Sequence, residues 1–186
     1  AVALQADAYY QNVTDKIVAS PKGTSNFRWM MTNMGKVKGH GVNAATEIKS
    51  RINDFRLTAN LTYTYSVART YDKLDGHELT SHGDQIPYTP WHSGSAVLNS
   101  AYKSWYMNYS FIYVGERYDG GVNNNKRNYV QPWYTHDLSI QKEFIYKKSM
   151  IKASIEVINV FNQYYDVVWN YAMPGRNFKF ILRLDL

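Results

Sequence analysis

Apolar and polar residues alternate with a period of two along most of the chain. From Phe55 to Ser66, every second residue is apolar or aromatic, and the residues between them are Arg, Thr, Asn and Ser. Successive side chains of a β-strand point to opposite faces, so this segment predicts a strand with one apolar and one polar face. No segment shows a convincing helical stripe of apolar residues. The pattern therefore predicts an all-β chain.

The same alternation recurs in other segments and divides the chain into strands. The clearest further apolar sets are Trp105, Met107, Tyr109, Phe111 and Tyr113; Ile151, Ala153, Ile155 and Val157; and Phe178, Phe180, Leu182, Leu184 and Leu186. Together with the connections, the pattern predicts eight strands, over residues 2–15, 36–49, 55–70, 87–101, 105–117, 133–143, 150–162 and 176–186. Strands of soluble domains usually have about 5–6 residues. The predicted strands are longer and fit the roughly 9–11 residues of a tilted membrane strand.

Aromatic residues mark the two ends of the apolar stripes. Phe55 and Tyr63 bracket one stripe, and Trp105 and Tyr113 bracket another, eight positions apart in each case. At roughly 3.3 Å per residue and a tilt near 40°, that spacing covers about 20 Å of membrane thickness. An apolar band of about 25 Å between two aromatic girdles is typical of an outer-membrane barrel. The spacing predicts an antiparallel transmembrane β-barrel built as a meander.

Short and long connections alternate along the chain. Short ones fall near residues 50–54, 101–104 and 145–149, and long ones near 16–36, 71–86, 118–132 and 163–175. Outer-membrane barrels have short periplasmic turns and long extracellular loops. With an even number of strands and a first strand that runs outward, the C-terminus is expected on the periplasmic side.

Composition agrees with a surface that meets both lipid and water. The 186 residues include 17 Tyr, 7 Phe and 5 Trp, and aromatic rings with a polar tip suit such an interface. There is no Cys, which excludes disulfides, thiol nucleophiles and Cys-based zinc sites. The net charge of +6 is spread among Asp and Glu without a basic cluster, so no nucleic-acid partner is predicted. No apolar run reaches the roughly 18 residues of a membrane-spanning helix, and no signal-peptide pattern opens the chain.

No motif for catalysis or cofactor binding is found. His77 and His82 are five residues apart, whereas a zinc-protease helix needs two His four residues apart on one face. Asp72, Asp75 and Asp84 share one long connection but lack the spacing of an EF-hand loop. Gly-x-Ser-x-Gly, phosphate-loop and dinucleotide fingerprints are absent from the sequence. We therefore predict no enzyme activity, no metal site and no cofactor.

An ordered set of short motifs resembles the TonB-dependent outer-membrane receptors. In the closing hairpin the matching residues are Asn159, Val160, Phe161, Asn162, Tyr165, Pro174, Gly175 and Arg176. Upstream, residues 33–42, 86–93 and 113–118 resemble segments that start or end strands of the family, in the family's order. Each motif alone is unspecific. The ordered set covers the chain from about Tyr9 onward.

This resemblance implies a particular place in a larger protein. Barrels of the family have 22 strands and a plugged lumen, so the eight strands of residues 1–186 would form the C-terminal part of the barrel. The plug domain, the earlier strands and the segment that TonB grips would precede them. The implied location is the outer membrane, and the implied function is active uptake of an iron chelate, cobalamin, glycan or peptide. The family often ends in an aromatic residue, whereas this chain ends in Leu186.

Ligand-contact candidates lie in the long connections expected outside the cell. They are Tyr118, Asn123, Asn124, Trp169 and Tyr171. Aromatic and amide groups can stack on a ligand and hydrogen-bond it. The alternative is that these residues belong to a girdle and to plain surface loops. Two other functions also stay open: a complete eight-stranded outer-membrane barrel with a structural or adhesin role, and a soluble all-β carbohydrate-binding module.

Overall fold

The computed structural model of the chain describes residues 1–21, 29–33, 35–70, 83–119, 126, 128–147 and 149–185. Every regular element in these ranges is a β-strand, which confirms the predicted all-β class. The strands are β1 (Val2–Val13), β2 (Ile17–Pro21), β3 (Trp29–Asn33), β4 (Val37–Ile52), β5 (Phe55–Thr70), β6 (His92–Tyr102), β7 (Trp105–Val114), β8 (Arg117–Tyr118), β9 (Tyr129–Val130), β10 (Trp133–Tyr146), β11 (Ser149–Ile158), β12 (Asp166–Val168), β13 (Tyr171–Ala172) and β14 (Asn177–Asp185). Among the described residues, no helix is long and apolar enough to cross a membrane.

Eight long strands form one antiparallel sheet. Their order is β1-β4-β5-β6-β7-β10-β11-β14, and the other strands form the hairpins β2–β3, β8–β9 and β12–β13. Each long strand corresponds to one predicted strand, and each pairs with its neighbour along the chain. The predicted eight-stranded meander is therefore confirmed.

The short connections are tighter than predicted. The predicted turn at residues 50–54 is a two-residue turn at Asn53 and Asp54, because β4 and β5 stay paired to their ends. Asn53 has a φ of 52°, and Lys103 and Lys147 have φ values of 52° and 54° at the other two short turns. Positive φ closes a two-residue hairpin without splaying its strands. β4 and β10 therefore run three residues beyond their predicted ends.

At the opposite end of the sheet, three strands are shorter than predicted. The predicted strands 87–101, 105–117 and 150–162 are observed as β6, β7 and β11, whose far ends fall three to five residues short. Tyr88 and Asn159 have φ values of 55° and 54°, which lie in the left-handed region and cannot continue a strand. Those predicted boundaries are wrong because alternation continues into segments that leave the sheet.

The pairing register places the apolar sets of all eight strands on one face. Directly opposed residues of neighbouring strands share a face. One row of direct partners crosses the whole sheet as Val2, Ile48, Ala59, Leu98, Tyr109, Leu138, Val157 and Phe178. Side chains of this apolar face are exposed in the chain by itself, at 79% for Leu4 and 71% for Phe178. An apolar face that extends across eight strands requires an apolar partner.

The opposite face is polar and internally hydrogen-bonded. The register places on it all the carboxylates of the eight strands, Asp7, Glu47, Asp137, Glu143, Glu156 and Asp185. Asn43 Nδ2 donates to Asp7 Oδ2 at 2.8 Å, and Lys179 forms an ion pair with Glu156 at 3.4 Å. The Tyr9 hydroxyl lies 2.8 Å from Ser66 Oγ. We call this side of the sheet the polar face.

Both edges of the sheet are open within the described residues. β1 pairs only with β4, and β14 pairs only with β11. The free rims of β1 and β14 do not pair with each other, as closure into an eight-stranded barrel would require. The start of β1 lies at the short-turn end of the sheet, where Lys49 N donates to Ala1 O at 2.8 Å, and the end of β14 lies at the same end.

Candidate ligand site at the long-loop end

Two of the small hairpins meet at a single buried arginine. Arg117 begins β8, and its side chain is 3% exposed. The guanidinium donates to the carbonyl oxygens of Gln131 at 3.2 Å, Asp166 at 2.6 Å and Val167 at 2.9 Å. Burial lowers the pKa of Arg117 below its ordinary value, while the phenol of Tyr88 and the carboxylate of Asp166 act in the opposite direction. The planar fork of Arg suits several carbonyl acceptors at once. Arg117 thereby ties the hairpin β12–β13 to the hairpin β8–β9.

The tip of β12–β13 is shaped by Asp166 and Asn170. Asp166 Oδ2 accepts a hydrogen bond from Asn170 N at 3.1 Å. Asn170 has a φ of 63°, a conformation that Asn tolerates better than most residues. Trp169 lies in this turn, and the turn follows Asp166 and Val167, whose carbonyl oxygens accept hydrogen bonds from Arg117.

An aromatic cleft lies between the two hairpins and the start of β10. Its volume is about 390 Å³, and its aromatic walls are Tyr129, Trp133, Tyr164, Tyr165 and Trp169. The rings of Trp133 and Tyr165 stack with centroids 4.6 Å apart. Gln131, Gln163 and Asp166 supply polar groups. The cleft can hold a flat or apolar group and hydrogen-bond its edge.

Two side chains of the cleft, Trp133 and Tyr165, can donate hydrogen bonds to a bound molecule. The indole Nε1 of Trp133 is buried and has no hydrogen-bond partner in the described part of the chain. A buried donor without an acceptor costs free energy, so an acceptor on a bound molecule would relieve it. Burial raises the pKa of the Tyr165 phenol, and the nearby carboxylate of Asp137 raises it further. Tyr165 is therefore neutral and able to donate at physiological pH.

A second aromatic cluster, formed by Trp91, Tyr118 and Tyr129, adjoins the cleft. Tyr118 packs edge-on against Trp91 and Tyr129, with centroid distances of 6.1 Å and 5.9 Å. Tyr88 N donates to Tyr118 O at 2.7 Å, which holds Tyr88 in its left-handed conformation. Three separate segments of the chain thus meet at the long-loop end.

The predicted contact residues are only partly brought together. Trp169 lines the cleft. Tyr118 does not line it but packs against Tyr129, which does, and Tyr171 does not line it. Asn123 and Asn124 lie outside the described residues, as do His77, His82, Asp72, Asp75 and Leu186. Sequence reasoning missed Tyr129 and Trp133 as contact residues. Within the described ranges, no group of three or more acidic or His side chains could hold a metal ion.

The residues of the closing-hairpin motif form a hydrogen-bonded knot. Asn159 is 2% exposed; its Oδ1 accepts from Gln163 N at 2.8 Å, and its Nδ2 donates to Gln163 O at 2.9 Å. Asn162 Oδ1 accepts from Arg176 N at 2.8 Å. A Cβ at Gly175 would lie 2.7 Å from that same oxygen, so a larger residue there would displace the Asn162 side chain from this hydrogen bond. Pro174 O lies 3.5 Å from Asn159 Nδ2.

The remaining motif residues point away from the knot. Phe161 is 68% exposed and packs edge-on against His136, with centroids 4.8 Å apart. His136 belongs to the apolar face, where its Nδ1 lies 2.6 Å from the Tyr109 hydroxyl. Tyr165 enters the cleft instead. The motif thus joins the apolar face, the loop knot and the cleft.

Comparisons with known proteins bear on these features. A family profile described as TonB dependent receptor-like, beta-barrel matches residues 1–162. No curated protein sequence matches the chain. Among solved structures, the siderophore receptor PiuA from Acinetobacter baumannii is 15% identical with a TM-score of 0.68, over 97% of this chain and 26% of that one.

Two further solved structures are similar to the same extent. The FrpB iron transporter from Neisseria meningitidis (F5-1 variant) is 19% identical with a TM-score of 0.62, over 98% of this chain and 29% of that one. The copper transporter OprC is 15% identical with a TM-score of 0.63, over 98% of this chain and 28% of that one. At these identities the likeness shows a shared fold. The chain spans about a quarter of the length of these structures.

Proposed function

We propose, since the chain belongs to the TonB-dependent receptor β-barrel family, that it forms part of the wall and loops of an outer-membrane receptor for active nutrient uptake. The resemblance seen in the sequence motifs is thereby confirmed for the family. The matched range, residues 1–162, does not include the last four motif residues, Tyr165, Pro174, Gly175 and Arg176. In this proposal, residues 1–186 are the C-terminal segment of a 22-stranded barrel.

The apolar face supports a position in the membrane. One apolar row crosses all eight strands, and large apolar side chains of the same face, such as Leu4 and Phe178, are exposed in the chain by itself. Lipid would cover that face, and the short turns would face the periplasm. The polar face would line the lumen and meet the plug domain. The open rims of β1 and β14 would pair with other strands of the barrel, because unpaired backbone groups are not tolerated in lipid.

The aromatic cleft carries the proposal of a ligand site. It lies at the long-loop end, which faces outside in this orientation, and Arg117 holds its walls together. The solved structures to which this chain is similar are a siderophore receptor, an iron transporter and a copper transporter. We therefore place an iron or copper complex first among the nutrient classes, ahead of cobalamin, glycan and peptide. TonB and the proton-motive force would supply the energy through the plug.

The membrane proposal is tested by fractionating cells that express the full-length receptor. Recovery in the outer membrane, with release only by detergent, is expected. Folded protein in the soluble fraction would contradict it and would favour the soluble carbohydrate-binding module.

The ligand proposal is tested by titrating the detergent-solubilised receptor and following tryptophan fluorescence. The probes are ferric hydroxamate, ferric catecholate and cupric complexes, with cyanocobalamin and a maltooligosaccharide as comparison arms. One of the iron or copper complexes should saturate the signal, and Trp169→Ala should weaken its binding roughly tenfold, as loss of a buried aromatic contact does. Tyr171→Ala, on the same hairpin but outside the cleft, is the matched control. Saturation by cobalamin or glycan alone would overturn the assignment to an iron or copper complex.

A further inference from the structure

Charged side chains are divided unequally between the two faces of the sheet. Every carboxylate of the eight long strands lies on the polar face. Lys142 lies on the apolar face, directly opposite Trp105 on one side and Ala153 on the other. A lysine within a lipid-facing stripe is costly unless its ammonium reaches the interface or an anion. Lys142 is near the short-turn end, where its ammonium can reach both the interface and an anion.

Among the described residues at this end, three lysines each lie above an aromatic ring. Lys142 Nζ lies 4.6 Å from the centroid of the Trp105 ring. Lys103 Nζ lies 5.3 Å above Tyr102, and Lys147 Nζ lies 5.4 Å above Tyr146. Their turns are neighbours, because β7 and β10 are paired and each contributes one strand to a turn. The result is a local concentration of positive charge at the level of the lipid headgroups.

The position of Lys142 is fixed by a second contact. Its Nζ lies 2.7 Å from Ser104 Oγ, at the turn between β6 and β7. The other ammonium protons stay available for an acceptor, since an ammonium has three donors. The flanking turn residues Lys103 and Lys147 are held by the left-handed conformations that close their hairpins.

An apolar groove begins at this lysine cluster and runs along the apolar face. Its volume is about 290 Å³, and Lys142 and Trp105 line one end. Further along, it is lined by Leu138, Ile140, Ile155 and Phe180. The small side chain of Ala153, between the bulky residues of β10 and β14, contributes to the depression. The apolar lining of the groove suits a lipid tail, and the lysines at its end suit a phosphate group.

We propose that this groove and the lysines Lys103, Lys142 and Lys147 form a binding site for an anionic phospholipid. The phosphate accepts hydrogen bonds from the ammonium groups, and one acyl chain lies in the groove towards Phe180. The occupant is a lipid of the leaflet at the short-turn end, because basic groups at that depth select anionic headgroups. This inference rests on the membrane position given under Proposed function, but not on any transported ligand.

The test uses native mass spectrometry of the full-length receptor in detergent, with phosphatidylglycerol and phosphatidylcholine of identical acyl chains as probes. Phosphatidylglycerol should remain bound in preference to phosphatidylcholine. Each of Lys142→Gln and Lys103→Gln should weaken phosphatidylglycerol binding roughly fivefold, which is the contribution of one basic residue near an anionic surface. Ala153→Phe fills the groove without a change of charge and should weaken both lipids.

Lys179→Gln is the matched control, because Lys179 is paired with Glu156 on the polar face. Equal retention of the two lipids, or an equal loss of phosphatidylglycerol in the control, would overturn the site. Full lipid retention in Ala153→Phe would overturn the placement of the acyl chain. A receptor that folds without detergent would instead refute the membrane position itself. The two failures are therefore distinguishable.

Discussion

Nη2 of Arg117 lies 2.6 Å from the carbonyl oxygen of Asp166, so one side chain joins hairpins that are 49 residues apart in the chain. Arg117→Met removes the donors to three carbonyls and leaves those acceptors short of partners. We expect the amides of β12–β13 to exchange faster with deuterium and the affinity for a cleft ligand to fall roughly tenfold. Amides of the eight-stranded sheet should keep their protection. Hydrogen exchange followed by mass spectrometry measures both effects.

Two further variants sharpen this prediction. Arg117→Lys should give an intermediate result, because one ammonium cannot serve all three carbonyls as the fork does. Arg183→Met is the control, since Arg183 is exposed on the polar face and hydrogen-bonds Asp185. If the amides of β12–β13 exchange equally fast in Arg117→Met and in Arg183→Met, Arg117 does not hold the hairpin.

Asn159 is buried and combines a left-handed backbone with two hydrogen bonds to Gln163. Asn159→Ala loses the bonds and introduces backbone strain, so we expect a loss of about 2–4 kcal/mol in the free energy of unfolding. Asn159→Gly keeps the backbone conformation and should lose less. Denaturant unfolding in detergent measures the change.

Asn53→Ala provides the backbone contribution alone, because Asn53 is exposed at a short turn with a φ of 52°. Its expected cost is about 1–2 kcal/mol. If Asn159→Ala costs no more than Asn53→Ala, the hydrogen bonds of Asn159 contribute nothing to stability.

Gly41 and Gly39 form a matched pair on β4. A Cβ at Gly41 would lie 2.4 Å from the backbone oxygen of Tyr65 and 2.7 Å from the Tyr9 ring. A Cβ at Gly39 would meet only the side chain of Gln11, which can move. We expect Gly41→Ala to lower stability and the yield of folded receptor, while Gly39→Ala is nearly neutral.

Tyr9→Ala should not rescue Gly41→Ala, because the Tyr65 oxygen belongs to the backbone and remains in place. Thermal unfolding of the single and double variants measures this. Full rescue would mean that the ring of Tyr9, and not strand β5, imposes the requirement for glycine.

Alkaline pH should loosen the cleft through Tyr165. Burial, followed by the carboxylate of Asp137, raises the pKa of Tyr165 above its ordinary value of 10.0. A raised pKa means that the neutral phenol favours the folded cleft. That contribution is complete below the ordinary pKa and is lost as pH rises through the raised one.

Tryptophan fluorescence, which reports the stack of Trp133 on Tyr165, should therefore change above pH of about 10. Tyr165→Phe should abolish this alkaline change, because Phe does not ionise. Tyr146→Phe, at the opposite end of the sheet, should leave it intact. Persistence of the change in Tyr165→Phe would assign it to another group.

The fold could be predicted from sequence to the extent that it depends on neighbours in the chain. Alternation around Leu57 or Phe180 is a local property, because a strand turns each successive side chain to the opposite face. The eight strands and their meander order followed from it, and the family followed from motifs such as that around Asn159. The strand ends at Tyr88 and Asn159 did not follow, because they also depend on distant partners: Tyr88 N donates to Tyr118 O, and Asn159 N donates to Asp137 Oδ1.

The sequence by itself determined that each strand has one apolar face and which residues form it. Only the tertiary structure decided that these faces align, since a shift of one residue in any register would move a whole apolar set to the other side. The same holds for the sites. Arg117 with Asp166, Trp133 with Tyr165, and Lys142 with its groove are brought together by hydrogen bonds between strands, which no local spacing in the sequence specifies.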